Sequence, residues 1–405
     1  MTQIFRAKKI FISVFFIIVT FNLATAQLGI WNQKANFGGF ARARCLSFSI
    51  GTKGYIGTGE NGSPTSDLWE YDQQNNTWTQ KANVGNTGRT SGVGFSIGNK
   101  GYAGLGSSSG QPLNDFWEYN PVTNTWIQKA SFPGTGKLSA VAFSIDNFGY
   151  VGTGSPSGPI GNETKEFWQY NPVNNSWLRK ADFGGTQRDR AVGFSINSKG
   201  YIGTGYGFTE GNPVSFGDFW EYDPTNNLWT EKATVPQLVR NNAVGFSTAS
   251  RGYIGMGYLN KTDFWQYDPN SNSWIQVSSF NGAGRIFPSA FSIGNRGYVG
   301  MGYSVVGSQG TTIYYNDIWE YVEQTLSLDQ NDFQRTFEVY PNPSFDIINI
   351  LVNSEINQII IYDCLGKEKL KSNNKSINIS SLDAGIYYVK VINSTGESIK
   401  KIIKK

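Results

Sequence analysis

The sequence predicts an all-β protein, a six-bladed β-propeller closed by its N-terminal strand and followed by a small C-terminal β-sandwich. Three observations carry this. A pattern of glycine, tyrosine and tryptophan recurs six times between Trp31 and Tyr321 at a spacing of about fifty residues, and such a period marks an architecture in which each repeat buries its face against the next. Spacing inside a repeat is rigid except in one segment. Beyond residue 324 tryptophan disappears and short alternating strands take over.

Residues 1–26 read as a signal peptide. Arg6, Lys8 and Lys9 make a basic start, Ile10 to Leu23 is a mostly apolar run, and Ala24-Thr25-Ala26 is a small-x-small cleavage signature. The run is short for a bilayer span, and no later stretch approaches the roughly 20 apolar residues of a transmembrane helix. The expected mature protein begins at Gln27, outside the cytoplasm, as a monomer without a transmembrane segment.

Residues 27–324 are the expected propeller. Glycine-tyrosine pairs end at Tyr55, Tyr102, Tyr150, Tyr201, Tyr253 and Tyr298, and each leads to an acidic residue two places before a tryptophan, at Trp69, Trp117, Trp168, Trp220, Trp265 and Trp319. A second series stands at Trp31, Trp78, Trp126, Trp177, Trp229 and Trp274. From it to the phenylalanine of the next F-S-I or F-S-T is 17 residues in all six copies, and from that phenylalanine to the tyrosine is seven. Between tyrosine and the following tryptophan the intervals are 14, 15, 18, 19, 12 and 21. One loop per repeat therefore absorbs all the length variation.

Each repeat reads as four short strands. Phe95 alternates with small Gly94 and Ser96, Gly98-Asn99-Lys100-Gly101 turns the chain, Tyr102 opens the second strand, Phe116 to Tyr119 form the third, and a fourth opens at Trp126 after an Asn-Pro turn. Small residues beside the phenylalanine suit a strand near a central axis, and four-stranded sheets repeated radially make a propeller. The region opens with a lone fourth strand at Trp31 and ends after a third strand at Ile318 to Tyr321, so the last blade is assembled from both ends and no strand is left as a raw edge.

The G-Y-x-G-x-G and D-x-W-E-Y-D-P-x-x-N-x-W segments, with a basic residue ahead of the first strand, resemble the kelch repeat across residues 31 to 321. The usual glycine pair is here Gly-x-Gly, as in Gly57-Thr58-Gly59 and Gly255-Met256-Gly257. The resemblance implies a propeller that in other members hosts oxidases, sugar mutarotases and pure binding proteins, so the fold alone does not give the function.

Residues 325–336 read as a linker, and residues 337–405 as a second unit. Phe337-Glu338-Val339-Tyr340-Pro341-Asn342-Pro343-Ser344 opens it, and strand-like runs follow at Ile347 to Val352, Gln358 to Tyr362 and Ile386 to Ile392. The Y-P-N-P start, the motif from Leu382 to Tyr388 and the basic end from Lys400 to Lys405 resemble the C-terminal sorting domain of the type IX secretion system of Bacteroidota. That resemblance implies contact with the secretion machinery and a mature protein released from, or attached to, the bacterial surface.

Composition excludes several classes. The chain has 34 basic and 30 acidic residues, and between residues 27 and 324 the signs balance at 21 each, which argues against nucleic-acid binding. Cys45 and Cys364 lie in different units, so no structural disulfide is expected. There is no histidine, which removes Ser-His-Asp and Cys-His nucleophile systems and His-ligated zinc or copper. No catalytic residue, cofactor or metal is expected.

Twelve tryptophans and the acidic series Asp67, Asp115, Glu166, Asp218, Asp263 and Asp317 read as parts of the blade, because a residue repeated in every blade serves the blade. The acids are expected to accept backbone N–H bonds where the third strand begins. A cation series, Arg42, Arg89, Lys137, Arg188, Arg240 and Arg285, lies eleven residues past each fourth-strand tryptophan, with Arg44 and Arg190 as extras. These six either ring one mouth of the channel and bind an anion or each pair with a neighbouring blade's acid or with backbone carbonyls. The variable loops share that face and carry the aromatics Tyr206, Phe208, Phe216, Tyr258, Tyr303, Tyr314 and Tyr315, suited to stacking on a sugar ring or meeting a protein surface. The expectation is a secreted or surface-attached, non-enzymatic protein whose loop face binds a glycan or a surface protein. The alternative is a histidine-free sugar-processing enzyme, a mutarotase or carboxylate glycosidase, drawing on Glu60, Glu163 or Glu210.

Overall fold

The structure is a computed structural model that describes residues 29–156, 161–237, 239–323, 337–352, 355–363, 366–393 and 396–405. The expected signal peptide and linker lie outside the described residues. The chain divides into two compact units, Met1–Glu323 and Gln324–Lys405.

In the first unit, among the described residues, six four-stranded antiparallel sheets follow one another. Leu46–Ile50, Lys53–Gly57, Leu68–Asp72 and Thr77–Lys81 lie in chain order in the first. The sheets that begin at Val93, Val141, Val192 and Val244 repeat it. The sixth takes Ser289–Ile293, Arg296–Gly300 and Ile318–Val322 from the end of the unit and Ile30–Lys34 from its start, with Trp31 opposite Tyr321 and Gln33 opposite Trp319. The first strands touch in cyclic order, and Ser289–Ile293 lies beside Leu46–Ile50. The sheets thus form a closed ring, with no unpaired terminal strand at the seam.

Two repeated contacts join neighbouring sheets. Each glycine-tyrosine pair lays its glycine on the preceding sheet's phenylalanine; a Cβ on Gly101 would stand 2.4 Å from the Phe48 ring and one on Gly149 2.3 Å from Phe95. Only glycine lets the sheets approach this closely. Farther out, the Ala82 N–H donates to Asn124 Oδ1 at 2.9 Å and the Trp126 indole donates to Ala82 O at 3.0 Å. The same latch recurs at Ala35, Ala130, Ala181 and Ala233. At the seam Trp31 Nε1 donates to Ser278 O at 3.0 Å.

The loops between second and third strands are more ordered than turn chemistry suggests. Among the described residues four carry two-stranded hairpins: Glu60–Asn61 with Ser63–Pro64, Ser107–Ser108 with Gln111–Pro112, Tyr206–Thr209 with Asn212–Ser215, and Tyr303–Val306 with Thr311–Tyr314.

The second unit is a β-sandwich. A sheet of Phe337–Tyr340, Ile347–Val352 and Ser376–Asn378 faces one of Glu368–Ser372, Gln358–Asp363, Gly385–Asn393 and Gly396–Lys404. Ile348, Ile350, Ile359, Ile361, Val389, Val391 and Ile402 fill the space between them. Both prolines of the Y-P-N-P segment follow cis peptide bonds.

Candidate functional site

The loops before the first strands and the loops between second and third strands meet on one face of the ring. There the cation series is interior. Arg42, Arg89, Lys137, Arg188, Arg240 and Arg285 are exposed by 1% or less. Their partners are the acids of their own blades: Arg42 Nη1 and Nη2 donate to Asp67 at 2.7 and 2.8 Å, and Arg188 to Asp218 at 2.6 and 2.8 Å. Arg89, Arg240 and Arg285 hold Asp115, Asp263 and Asp317 in the same way, and Lys137 reaches Glu166 at 3.0 Å. A second donor joins most acids, as the Trp69 indole donates to Asp67 Oδ2 at 2.8 Å. The two series are therefore one device. The five aspartates accept mainly from guanidinium and indole, with a backbone N–H added at Asp115 and Asp317, Glu166 accepts from the Lys137 ammonium, and the six cations spend their hydrogen bonds inside the blades, not on an anion at the mouth.

The electrostatics follow. Burial by itself would raise the Asp67, Asp115, Asp263 and Asp317 carboxyls, but the hydrogen bonds and charge of the facing arginines outweigh it and hold all four below the usual carboxylate range.

The mouth itself is built two residues further along. Arg44, Ser91, Ser139, Arg190, Asn242 and Phe287 occupy one equivalent position in the six blades, and all are left-handed, with φ between +51° and +59°. The strained conformation turns five of the six backbone N–H groups to the neighbouring belt carbonyl. Ser91 N donates to Arg44 O, Ser139 N to Ser91 O, Arg190 N to Ser139 O, Phe287 N to Asn242 O and Arg44 N to Phe287 O, at 3.0 to 3.4 Å. This belt rims a cavity of about 170 Å³ whose wall continues with the small residues Cys45, Gly92, Ala140, Ala191 and Ala243.

Two arginines stand in the belt, on the first and fourth blades and so opposite each other in a ring of six. Their side chains are 32% and 30% exposed. Arg44 pairs with Glu60 and lies over the Phe287 ring at 4.3 Å. Arg190 Nε lies 3.5 Å from Asp189 and its guanidinium is over Tyr206 at 5.1 Å. Asp189 and Glu163 are each only 6% exposed, and Asp189 Oδ1 and Glu163 Oε2 have no hydrogen-bond partner among the described residues. Burial pushes the Asp189 carboxyl up to about 6; Arg190 opposes this and the charge of Glu163 adds to it. Glu210 is remote from this cluster, exposed at the turn of the Tyr206–Ser215 hairpin.

The aromatic candidates divide. Tyr315 lies under Arg285 at 4.0 Å and bonds Ser304 at 2.7 Å, and Phe216 lies under Arg188 at 4.1 Å; these clad the buried pairs. Tyr206, Phe208, Tyr303 and Tyr314 are half-buried on the two long hairpins, and Tyr258 is exposed. Tyr206, Tyr258 and Tyr303 are not scattered: each follows the Gly-x-Gly of its blade. Sequence reasoning left Arg44 and Arg190 as extras and did not consider Asp189. Their signal was the fixed offset of two, and of one, from the cation series.

The comparisons with known proteins agree with this architecture. The kelch motif family matches residues 101–133, and the secretion system C-terminal sorting domain family matches residues 338–405. An N-acetylneuraminate epimerase of Pasteurella multocida (strain Pm70) is 31% identical over 94 residues, 23% of this chain, and the match spans 24% of that protein's length. The solved structure of YjhT superposes with a TM-score of 0.60 at 17% identity, over 73% of this chain and 98% of that one; at this identity the likeness is one of fold. The sorting domain implies interaction with the secretion machinery and a secreted or cell-surface location in a bacterium. No helix among the described residues is long and apolar enough to cross a membrane. The chain is a kelch-repeat β-propeller protein carrying a secretion system C-terminal sorting domain.

Proposed function

We propose that the loop-face mouth binds a carboxylated sugar of the N-acetylneuraminate class and that the sorting domain delivers this binding protein to the outside of the cell. The observation that carries the reading is the pair Arg44 and Arg190, half-exposed on opposite blades of one cavity rim. A guanidinium has five N–H donors, so each keeps donors beyond those spent on its own carboxylate. The hydroxyl groups of Ser91 and Ser139 on the same rim suit the hydroxyls of a sugar. The likeness to an N-acetylneuraminate epimerase of Pasteurella multocida supports the choice of acid sugar.

Calorimetric titration of the full chain with N-acetylneuraminate at two salt concentrations tests this. Binding that weakens with salt and falls about tenfold, the factor that about 1.4 kcal/mol represents, in Arg44→Ala and Arg190→Ala supports it. No binding, or binding indifferent to both substitutions, rejects it.

One observation favours a second reading, in which the bound sugar is turned over. Asp189 and Glu163 are buried beside the rim with an oxygen each unpaired among the described residues, and burial pushes the Asp189 carboxyl up to about 6, toward the range in which a carboxyl can exchange protons. Exchange NMR on the two anomers of N-acetylneuraminate separates the readings. Faster interconversion that is lost in Asp189→Asn supports turnover; binding without acceleration supports a pure binder.

A further inference from the structure

Three consecutive blades carry tyrosine at one equivalent position. Tyr206, Tyr258 and Tyr303 stand where the first three blades have Glu60, Ser107 and Ser155. The backbone pins this position: Tyr206 bridges to Asp189, Tyr303 to Ile286, and Tyr258 N donates to Asn241 O at 3.0 Å. The three rings thus stand on neighbouring blades, next outward from the rim.

Loop length makes the middle one accessible. From second-strand tyrosine to third-strand tryptophan the fifth blade has 12 residues, between neighbours of 19 and 21. The fourth and sixth blades raise hairpins and the fifth leaves a notch, in which Tyr258 is 55% and Leu259 74% exposed. The floor of the notch is braced. Asn260 Nδ2 donates to Val305 O at 3.0 Å, Lys261 Nζ to Gln237 O at 3.3 Å, and a Cβ on Gly284 would stand 1.8 Å from Asn260 O. The walls are aromatic: Phe208 lies edge-on to Tyr206 at 6.1 Å, and Tyr314 lies 5.4 Å from Tyr303.

The two ends of the arc join the mouth arginines. Arg190 lies over Tyr206, and Arg44 lies over Phe287, whose ring is 6.1 Å from Tyr303. We propose that this arc is a second subsite, for the glycan chain to which the acidic sugar is attached: the terminal sugar sits in the mouth and the following sugars run outward across the fifth blade, their C–H faces on Tyr258. The proposal rests on the acid-sugar reading of the mouth and adds to it that the ligand is a chain rather than a free monosaccharide. Tyrosine suits this role because its ring offers apolar area at low conformational cost while its hydroxyl stays wet. A braced floor lowers the ordering cost of binding.

The test uses the full chain and three probes: N-acetylneuraminate, a linear trisaccharide ending in it, and a neutral linear trisaccharide. The acidic trisaccharide is expected to bind about tenfold tighter than the monosaccharide, and Tyr258→Ala to erase that advantage while leaving the monosaccharide affinity unchanged. Tyr258 is exposed, so the variant keeps its fold. Equal affinity of wild type for both acidic probes, or equal weakening of both by Tyr258→Ala, overturns the proposal. If neither acidic probe binds, the mouth reading has failed, and the neutral chain decides the arc: retention lost in Tyr258→Ala keeps it. No glycan retained at all, or a surface protein bound through Tyr258 instead, ends it.

Discussion

Lys137 and Glu166 occupy in the third blade the places that arginine and aspartate hold in the other five, and with this exchange the Trp168 indole nitrogen is buried without an acceptor among the described residues. In the second blade Asp115 Oδ2 accepts from both Arg89 Nη2 and Trp117 Nε1 at 2.6 Å. Glu166 is one methylene longer and turns its second oxygen to Arg179 at 3.4 Å instead. The double change Lys137→Arg with Glu166→Asp is expected to stabilise the protein by about 1 to 2 kcal/mol, the cost of an unmade buried hydrogen bond. Urea denaturation of the double variant beside wild type measures it, and an unchanged or lower midpoint would refute the account.

Removing one of the buried arginines is expected to cost more than that exchange gains. Arg188→Ala leaves Asp218 facing an empty cavity, and breaking a buried pair from one side costs about 3 to 5 kcal/mol. Arg188→Lys keeps the charge but loses the fork and the bond from Arg188 Nη1 to Thr204 O at 2.9 Å, and should cost about 1 to 2 kcal/mol. Denaturant midpoints that rank the two variants the other way would show that the pair is not held by its bidentate geometry.

Acid should act through the same pairs. Asp67, Asp115, Asp263 and Asp317 are held below the carboxylate value of 3.8. A depressed folded value means that the unfolded chain takes up protons first, so this stability is fully present above about pH 4 and is lost as pH falls through the folded values. The melting temperature is expected to drop steeply below about pH 4. Asp115→Asn should melt lower at neutral pH and show a shallower acid limb, and an unchanged limb would assign acid unfolding to other groups.

Periodicity made the fold legible in ways it could not extend to the site. The Gly-Tyr pairs, the two tryptophan series and the lone opening strand follow from contacts each blade makes with the next, so they repeat in the sequence as in space. The partnership of Arg42 with Asp67 escaped because 25 residues, two blade strands and a short hairpin separate them; both series were visible, but nothing local says that one bonds the other. Mouth residues differ from blade to blade, as Arg44, Ser91, Ser139, Arg190, Asn242 and Phe287 do, so a reading tuned to identity passes over them. Their common left-handed backbone is what makes them equivalent, and no residue type announces it as glycine would.

Asp189 gives the opposite pH response. Its folded value is raised to about 6 from 3.8, so the folded protein holds the proton more tightly than the unfolded chain does. Stability from this group is greatest below pH 4 and declines as pH rises through 6. Asp189→Asn removes the charge, and is expected to be more stable than wild type at pH 7.5, on the order of 2 kcal/mol, with the difference closing near pH 4. Thermal melts of both proteins across that range measure it. A variant less stable than wild type at every pH would mean that the ionised carboxylate is favourably held, by Arg190 above all.

The seam depends on a tryptophan that the blade pattern supplies only once at the chain's start. Trp31 is buried against Phe264, Phe280 and Tyr321 at 4.9 to 5.2 Å. Its counterpart Trp126 has the same latch bond but is only partly buried. A further difference is connectivity: Thr125–Gln128 is tied to its sheet by a short turn, whereas Ile30–Lys34 reaches its sheet from the far end of the unit and is held by its own contacts. Trp31→Ala is therefore expected to cost about 3 to 5 kcal/mol, more than Trp126→Ala. It should also expose the sixth sheet to proteolysis near Ile318–Val322 before global unfolding, because the edge it covered is then open. Equal midpoints for the two variants, with no early cleavage, would mean that the ring closes without help from this strand.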